Sequence, residues 1–353
     1  MPRAGAQQPT PAPGRALPKW ASWPDEDLLE LRLCDLGLHI AGTAVEEGVR
    51  ALYANLQASG LRFRPHVWLS DEWFCPDGVA GIAIPFHLAH SRLMRLERSQ
   101  MLEVEGGTPE WCLRILRHEA GHAIENAFGL RKRERRIQIF GDSKQPYPAH
   151  YEPRPYSRRF VVHLDGSYAQ AHPDEDFAET FAVWIDPESD WRADYAGWPA
   201  LSKLEYVDEV MRELRSLTPP KHRERTVEPL SSLRLTLREH YEARRAHYGV
   251  DHPSFHDTGL KRLFRSPSDA GAKSVKAERV IRELSDETAR TVARWTGQYQ
   301  YVIKAVIAAM ADRCRHLELR STLPKNRARL EFATLLTVET MKKVHSGRHR
   351  AAL

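Results

Sequence analysis

His118-Glu119-Ala120-Gly121-His122 sets two imidazoles four residues apart, with a carboxylate directly after the first. On an α-helix, positions i and i+4 share a face, so both rings can turn a nitrogen toward one metal ion. Glu119, one step round the helix, then stands beside a water on that metal instead of on the metal itself, which is where a general base is needed. With 17 His among 353 residues, a chance match to this pattern has a probability on the order of several per cent. Two ordinary helical histidines are the competing reading, and a second element must decide.

That element is the stretch from His172 to Trp184, HPDEDFAETFAVW. Pro173 can open a helix, and Asp174, Glu175 and Asp176 crowd the first turn as the helix dipole prefers. At 100° per residue, Phe177, Phe181 and Trp184 form one stripe, Glu175, Glu179 and Ala182 another, and Asp176 and Thr180 fall on neither. An aromatic stripe turned to the core leaves the carboxylate stripe free to meet the first helix. Glu175 is therefore the third metal ligand, and Glu179, one turn on, accepts a hydrogen bond from the far nitrogen of a ligand histidine and fixes its tautomer. His172 is a rival ligand just outside the helix, although a residue before proline is held extended.

The pair HEAGH and EDFAE, with Tyr168 seven residues before Glu175, resembles the gluzincin class, and in particular a bacterial zinc-binding metallopeptidase family related to the catalytic domain of anthrax lethal factor. The tight resemblance covers Trp111 to Trp184, and a looser one runs from about Trp23 to Val210, extending toward Trp295–Tyr299. It implies that His118, His122 and Glu175 ligate zinc, that Glu119 is the base, and that Tyr168 faces the site. One zinc ion per chain is expected, and Tyr168 is either a loop aromatic packed on the core or an electrophile toward the substrate carbonyl, with His163 and His172 as the next proton donors to consider if it is structural. The chain departs from many such relatives in lacking a Cys-rich zinc ribbon at its start. The reaction implied is hydrolysis of a peptide or amide bond: zinc lowers the pKa of water to roughly 7, Glu119 takes its proton, and the proton passes to the leaving amine. The alternative is a zinc-binding scaffold that has lost turnover, disfavoured because Glu119 is retained. A nucleic-acid-associated protease is a third reading, resting on basicity alone.

Several elements must position these residues. Thr108 is a suitable N-cap, Pro109 suits the first helical position, and Gly129 is a natural stop, so the metal helix should run from about 109 to 128 with Trp111, Ile115, His118 and His122 facing inward. Upstream, Asp25 to Gly37 has amphipathic helical spacing, and Thr43 to Ser59 reads as a helix opened by a Thr43/Glu46 capping box. Arg62 to Ser70 and Gly81 to Leu88 read as strands, and Leu93 to Glu105 as another strand or two. In zincins an edge strand lies along the cleft, and Gly81-Ile82-Ala83-Ile84 is the candidate edge, with an interior strand as the equal alternative. Between the metal helices, the long Pro-interrupted connection from Leu130 to Ala171 suits a lid or substrate-contact loop. Its basic run Arg131–Arg136 is either a solvated helix end or a positive rim that draws acidic peptides. Helical spacing recurs over 199–217, 231–248, 275–295, 299–317 and 327–345.

The expected fold class is α+β: a disordered Pro/Ala-rich segment (1–22), a zincin-like domain with a small sheet and active-site helices (23–218), and a helical C-terminal region (219–353) divided from it at Pro219-Pro220. The four cysteines Cys34, Cys75, Cys112 and Cys314 are scattered without a CxxC pair, so neither a second zinc site nor disulfides are expected. With no apolar stretch of membrane-spanning length and no signal-peptide pattern, the expected location is the cytoplasm. A net charge of +5, from 52 basic and 47 acidic residues, is too even a mixture to indicate nucleic acid. The expected partner is a peptide or protein substrate, with acidic sequences favoured if the rim is real. The basic end from Lys342 to Arg350 reads as a solvated tail or an anion contact.

Overall fold

Apolar residues at helical spacing dominate the chain, and most of its regular structure is helix. The computed structural model describes residues 18–101, 104–148, 151, 154, 157–218, 224–248, 257–267, 269–271 and 274–345. The expected disorder of the first residues, the Pro219-Pro220 joint and the basic residues 346–350 lie outside these. The fold is α+β, and the chain divides into two compact units: one holds residues 1–100, 104–147 and 153–240, and the other holds 101–103, 148–152 and 241–353.

The first unit opens with helices α1 (Asp25–Leu29) and α2 (Ala44–Ala58). The amphipathic pattern over 25–37 does not give one helix. After α1 the chain breaks into a 3-10 turn at Leu33–Asp35, because the amides of Leu33 and Cys34 donate to the carbonyls of Leu235 and Leu233 at 3.0 Å, and this long-range pairing outweighs local propensity. The capping box of α2 is displaced by one residue: Glu46 Oε2 accepts from the Gly42 amide at 2.6 Å, and the Thr43 hydroxyl donates to the Ile40 carbonyl.

Strands β1 (His66–Ser70) and β2 (Gly81–Pro85) follow and pair in parallel, His66 opposite Gly81 and Ser70 opposite Pro85. All five residues of β2 are buried. Its far side is bridged at one point by Phe74, whose carbonyl accepts from the Ala83 amide at 2.9 Å, so Gly81–Ile84 is an outer strand of a two-stranded sheet whose free side is partly covered. The segment expected to supply further strands is instead helix α3 (Ser91–Met101). Leu93 and Leu96, three apart, are both fully buried while Arg95 and Arg98 are not, a helical and not an alternating pattern.

The two long motif helices come next: α4 (Pro109–Phe128), the short α5 (Glu134–Phe140) and α6 (Pro173–Ile185), then α7 (Trp191–Asp194) and α8 (Leu201–Arg215). Helix α4 packs on α2, β2 and α6, and α6 is sandwiched between α4 and α8. Residues 224–240 also belong here. Trp68 Nε1 donates to the Val227 carbonyl at 2.9 Å and the Ser70 hydroxyl to that of Glu228 at 2.7 Å. The division therefore falls after His240 and not at 218. Helix α9 (Leu237–Tyr248) opens with a reciprocal capping box in which Thr236 N donates to Glu239 Oε2 and Glu239 N to Thr236 Oγ1.

In the second unit, α10 (Asp257–Leu263) precedes a two-residue antiparallel pair, β3 (Val275–Lys276) with β4 (Arg320–Ser321). This pair brackets α11 (Ala277–Thr296) and α12 (Gln300–His316), and α13 (Lys325–His345) ends the unit. Ile281, Leu284, Val306, Met310, Phe332 and Leu336 form its own apolar core. Among the described residues, no helix is long and apolar enough to cross a membrane.

Candidate metal centre

Local chemistry fixes both ends of α4. The Thr108 hydroxyl accepts from the Trp111 amide at 3.2 Å, Pro109 occupies the first helical position, and Gly129 terminates the helix with φ 62°. The start of α6 is capped less conventionally. His172 Nδ1 accepts from the Asp174 amide at 3.2 Å while its Nε2 donates to the Gln145 carbonyl at 2.9 Å. Both nitrogens of His172 are thus used by the backbone, and it does not join the metal cluster.

The two helices are antiparallel, tied at both ends and in very close contact between. Arg117 in α4 bonds Asp186 at the far end of α6 (2.5 Å) and Asn55 of α2 (3.0 Å). At the other end Arg136, with no exposed surface, reaches Glu125 at 2.9 Å, Asp174 at 2.6 Å and the carbonyls of Gly141 and Pro173. Arg131 adds contacts to Glu125 and Asp174 and to Asp77. In the middle, a Cβ on Gly121 would lie 2.8 Å from Ala178 Cα. The glycine inside the motif is therefore what lets α6 approach near enough for its carboxylates to reach the histidines.

His118 Nε2 lies 3.0 Å from Glu175 Oε2, His122 Nε2 lies 3.2 Å from the same oxygen, and the two Nε2 atoms are 3.2 Å apart. Ligands about 2.1 Å from a tetrahedral ion sit about 3.4 Å from one another, so this triangle is close to the size a zinc ion needs. Among the described residues it is the one group of His, Cys, Asp and Glu that could hold a metal. Behind it, His118 Nδ1 donates to Glu179 Oε1 at 2.8 Å, and Glu179 Oε2 accepts from the Leu164 amide at 2.8 Å. Both oxygens of Glu179 are engaged, and the tautomer of His118 that leaves Nε2 free for a metal is the one selected.

Burial opposes charging of His118, but its hydrogen bonds to Glu175 and Glu179 outweigh that and hold its pKa well above the usual histidine value. Burial likewise works against ionised Glu175, but the charge of His122 and the bonds from both histidines bring its pKa well below the carboxylate range. Glu119 is different. It is buried beside the triangle, burial raises its pKa, and its Oε2 has no hydrogen-bond partner among the described residues. A buried carboxylate oxygen without a donor next to three converged ligand atoms fits a site that takes up a metal and a water.

Tyr168 stands in a 3-10 turn, Asp165–Gln170, entered through Ser167 at φ 57°. Its ring centroid is 5.5 Å from that of His118, tilted by 44°. His163 donates from Nε2 to the Arg114 carbonyl at 2.9 Å. Asp176 turns away from the cluster and pairs with Lys203 of α8 at 2.6 Å, and burial raises its carboxyl to about 7. The basic run is largely solvated, as one expected reading had it, with Lys132, Glu134 and Arg135 exposed and Arg133 and Arg135 paired with Glu213 and Glu209 of α8, while Arg136 is enclosed in the clamp that Arg131 joins. One residue that spacing did not single out reaches the centre. Tyr147, in the connection between α5 and α6, donates its hydroxyl to Glu175 Oε1 at 2.8 Å.

The family model described as "Putative zinc-binding metallo-peptidase" matches residues 107–193. That span holds α4, α6 and His118, Glu119, His122, Tyr147, Tyr168, Glu175 and Glu179. No curated protein and no solved structure matches the chain.

Proposed function

We propose that the chain is a zinc-dependent metallopeptidase of gluzincin type, hydrolysing a peptide or amide bond with Glu119 as general base. The observation that carries this reading is the convergence of His118 Nε2, His122 Nε2 and Glu175 Oε2 within 3.2 Å of one another, with the unpartnered Oε2 of Glu119 beside them. His118, His122 and Glu175 would hold one zinc ion, which supplies a Lewis acid for the scissile carbonyl and lowers the pKa of water to about 7.

The chain's own groups supply the rest. Glu179 holds the His118 ring by its Nδ1 proton, so that Nε2 carries the lone pair. Glu119 takes a proton from water on Oε2 and returns it to the leaving amine. Burial lifts its pKa from the ordinary carboxylate range toward neutrality, which suits a group that must both accept and release a proton. Tyr168, against the His118 ring, offers a phenol to the oxygen of the carbonyl under attack, where negative charge develops in the transition state.

A denatured-protein or peptide library, digested with and without chelator and read by mass spectrometry, tests this reading. New termini should form with wild type, vanish with chelator and return with zinc. Glu119→Gln should keep its zinc and lose activity by about 10²–10⁴-fold, and Tyr168→Phe should keep zinc and stability while kcat falls by about 10–1,000-fold. Zinc-loaded wild type that cleaves nothing in the library makes the chain a binding scaffold and overturns the proposal.

A further inference from the structure

We propose that Tyr147 is a positioning residue for Glu175: its hydroxyl holds Oε1 so that Oε2 is the oxygen presented to the metal. This rests on the zinc reading above. A glutamate carboxylate at the end of a flexible stem can offer either oxygen, or both, to a cation. Here the two oxygens are already differentiated. Oε2 sits 3.0 and 3.2 Å from the two histidine Nε2 atoms, while Oε1 accepts from Tyr147 at 2.8 Å. A donor on one oxygen favours single-oxygen ligation and keeps the remaining coordination positions for water and substrate.

The tyrosine can do this because it is itself held. Its ring stacks on His172 with centroids 3.8 Å apart and planes 16° from parallel, and His172 is fixed through both nitrogens to the Asp174 amide and the Gln145 carbonyl. Two residues earlier still, the Ser143 hydroxyl donates to Asp174 Oδ1 at 2.5 Å. Residues 143, 145 and 147 thus hook successively onto Asp174, His172 and Glu175, the first turn of α6. Residues 143–147, within the connection read from sequence as a lid or substrate-contact loop, form a strap whose last hook ends on Glu175.

Tyr147→Phe keeps the ring and its stack and removes only the donor. Zinc affinity of the full chain, measured by chelator competition, should fall by about 10-fold, the low end of the loss seen when a partner of a metal ligand is removed. The visible spectrum of the cobalt-substituted protein should change in band position or intensity, because the ligand field changes. The metal-free protein should keep a cooperative urea transition. Zinc affinity within twofold of wild type and a superimposable cobalt spectrum would overturn the proposal. So would a fall in kcat with both of those unchanged, which would place the hydroxyl on the substrate instead. Failure of wild type to bind either metal removes the zinc reading itself, and this inference with it.

Discussion

Glu175 and Glu179 are one helical turn apart on α6, yet their oxygens face different partners, and a ranking follows. Glu175→Ala should cost the most zinc affinity, Glu179→Ala about 10–100-fold, and Asp176→Ala the least, since Asp176 is turned to Lys203. Zinc titration of the three variants checks this, and the ligand assignment is wrong if Asp176 is the most damaging. Proton linkage gives a second expectation. His118 has a raised pKa, so its interactions stabilise the metal-free fold fully below the unfolded histidine value of about 6.5 and lose that contribution as pH rises through the raised value. A cation must displace that proton, so zinc affinity should climb with pH across the same window. Calorimetry at pH 7 in buffers of different ionisation enthalpy should show net proton release on zinc binding, since the His122 pKa is raised as well, and a binding enthalpy independent of buffer would refute the linkage. At this scale the sequence was informative wherever partners share a helix. The i, i+4 pair and the 175/179 stripe were legible from period alone. Tyr147 was not, because it lies in a loop 28 residues from Glu175, where no period links one position to another.

At the scale of elements, what could be read were helices with their own caps, such as α4 between Thr108 and Gly129. What could not were segments whose backbone is claimed by a distant strand or loop, as at Leu33 and Cys34, and α3, whose Arg-rich outer face masks two buried leucines. The basic run shows the same limit. Six charged residues in sequence look solvated, and nothing local announces that Arg136 will be enclosed by Glu125 and Asp174 from two other helices. That enclosure has a cost if broken. Arg136→Met would leave two buried carboxylates without their cation, and the loss of stability should be about 3–5 kcal/mol, read as a lowered urea midpoint at unchanged slope. A midpoint equal to wild type would mean that Arg131 alone holds the junction.

On the scale of the molecule, every side chain of the proposed chemistry belongs to the first unit, and the second builds a separate core from α11, α12 and α13. Composition and helical period suggest a helical region after about residue 219. They did not foretell that 224–240 returns to the first, because its ties are side chain to backbone contacts made by Trp68 and Ser70. The joining of α4 to α6 then bears on how the protein behaves when its metal is taken away. Arg117 with Asp186 at one end, and the Arg136, Arg131, Glu125 and Asp174 group at the other, hold the two helices through contacts in which His118, His122 and Glu175 take no part. Small zinc domains whose ligands are their only cross-link collapse on chelation, whereas here the receptacle is preformed. Stripped protein should keep its far-UV circular dichroism and a cooperative urea transition. Its zinc uptake in stopped flow should be a single second-order phase, with no slower step at the rate of refolding. The metal would then come and go as an exchangeable guest, and supply of zinc could set activity without the chain ever unfolding.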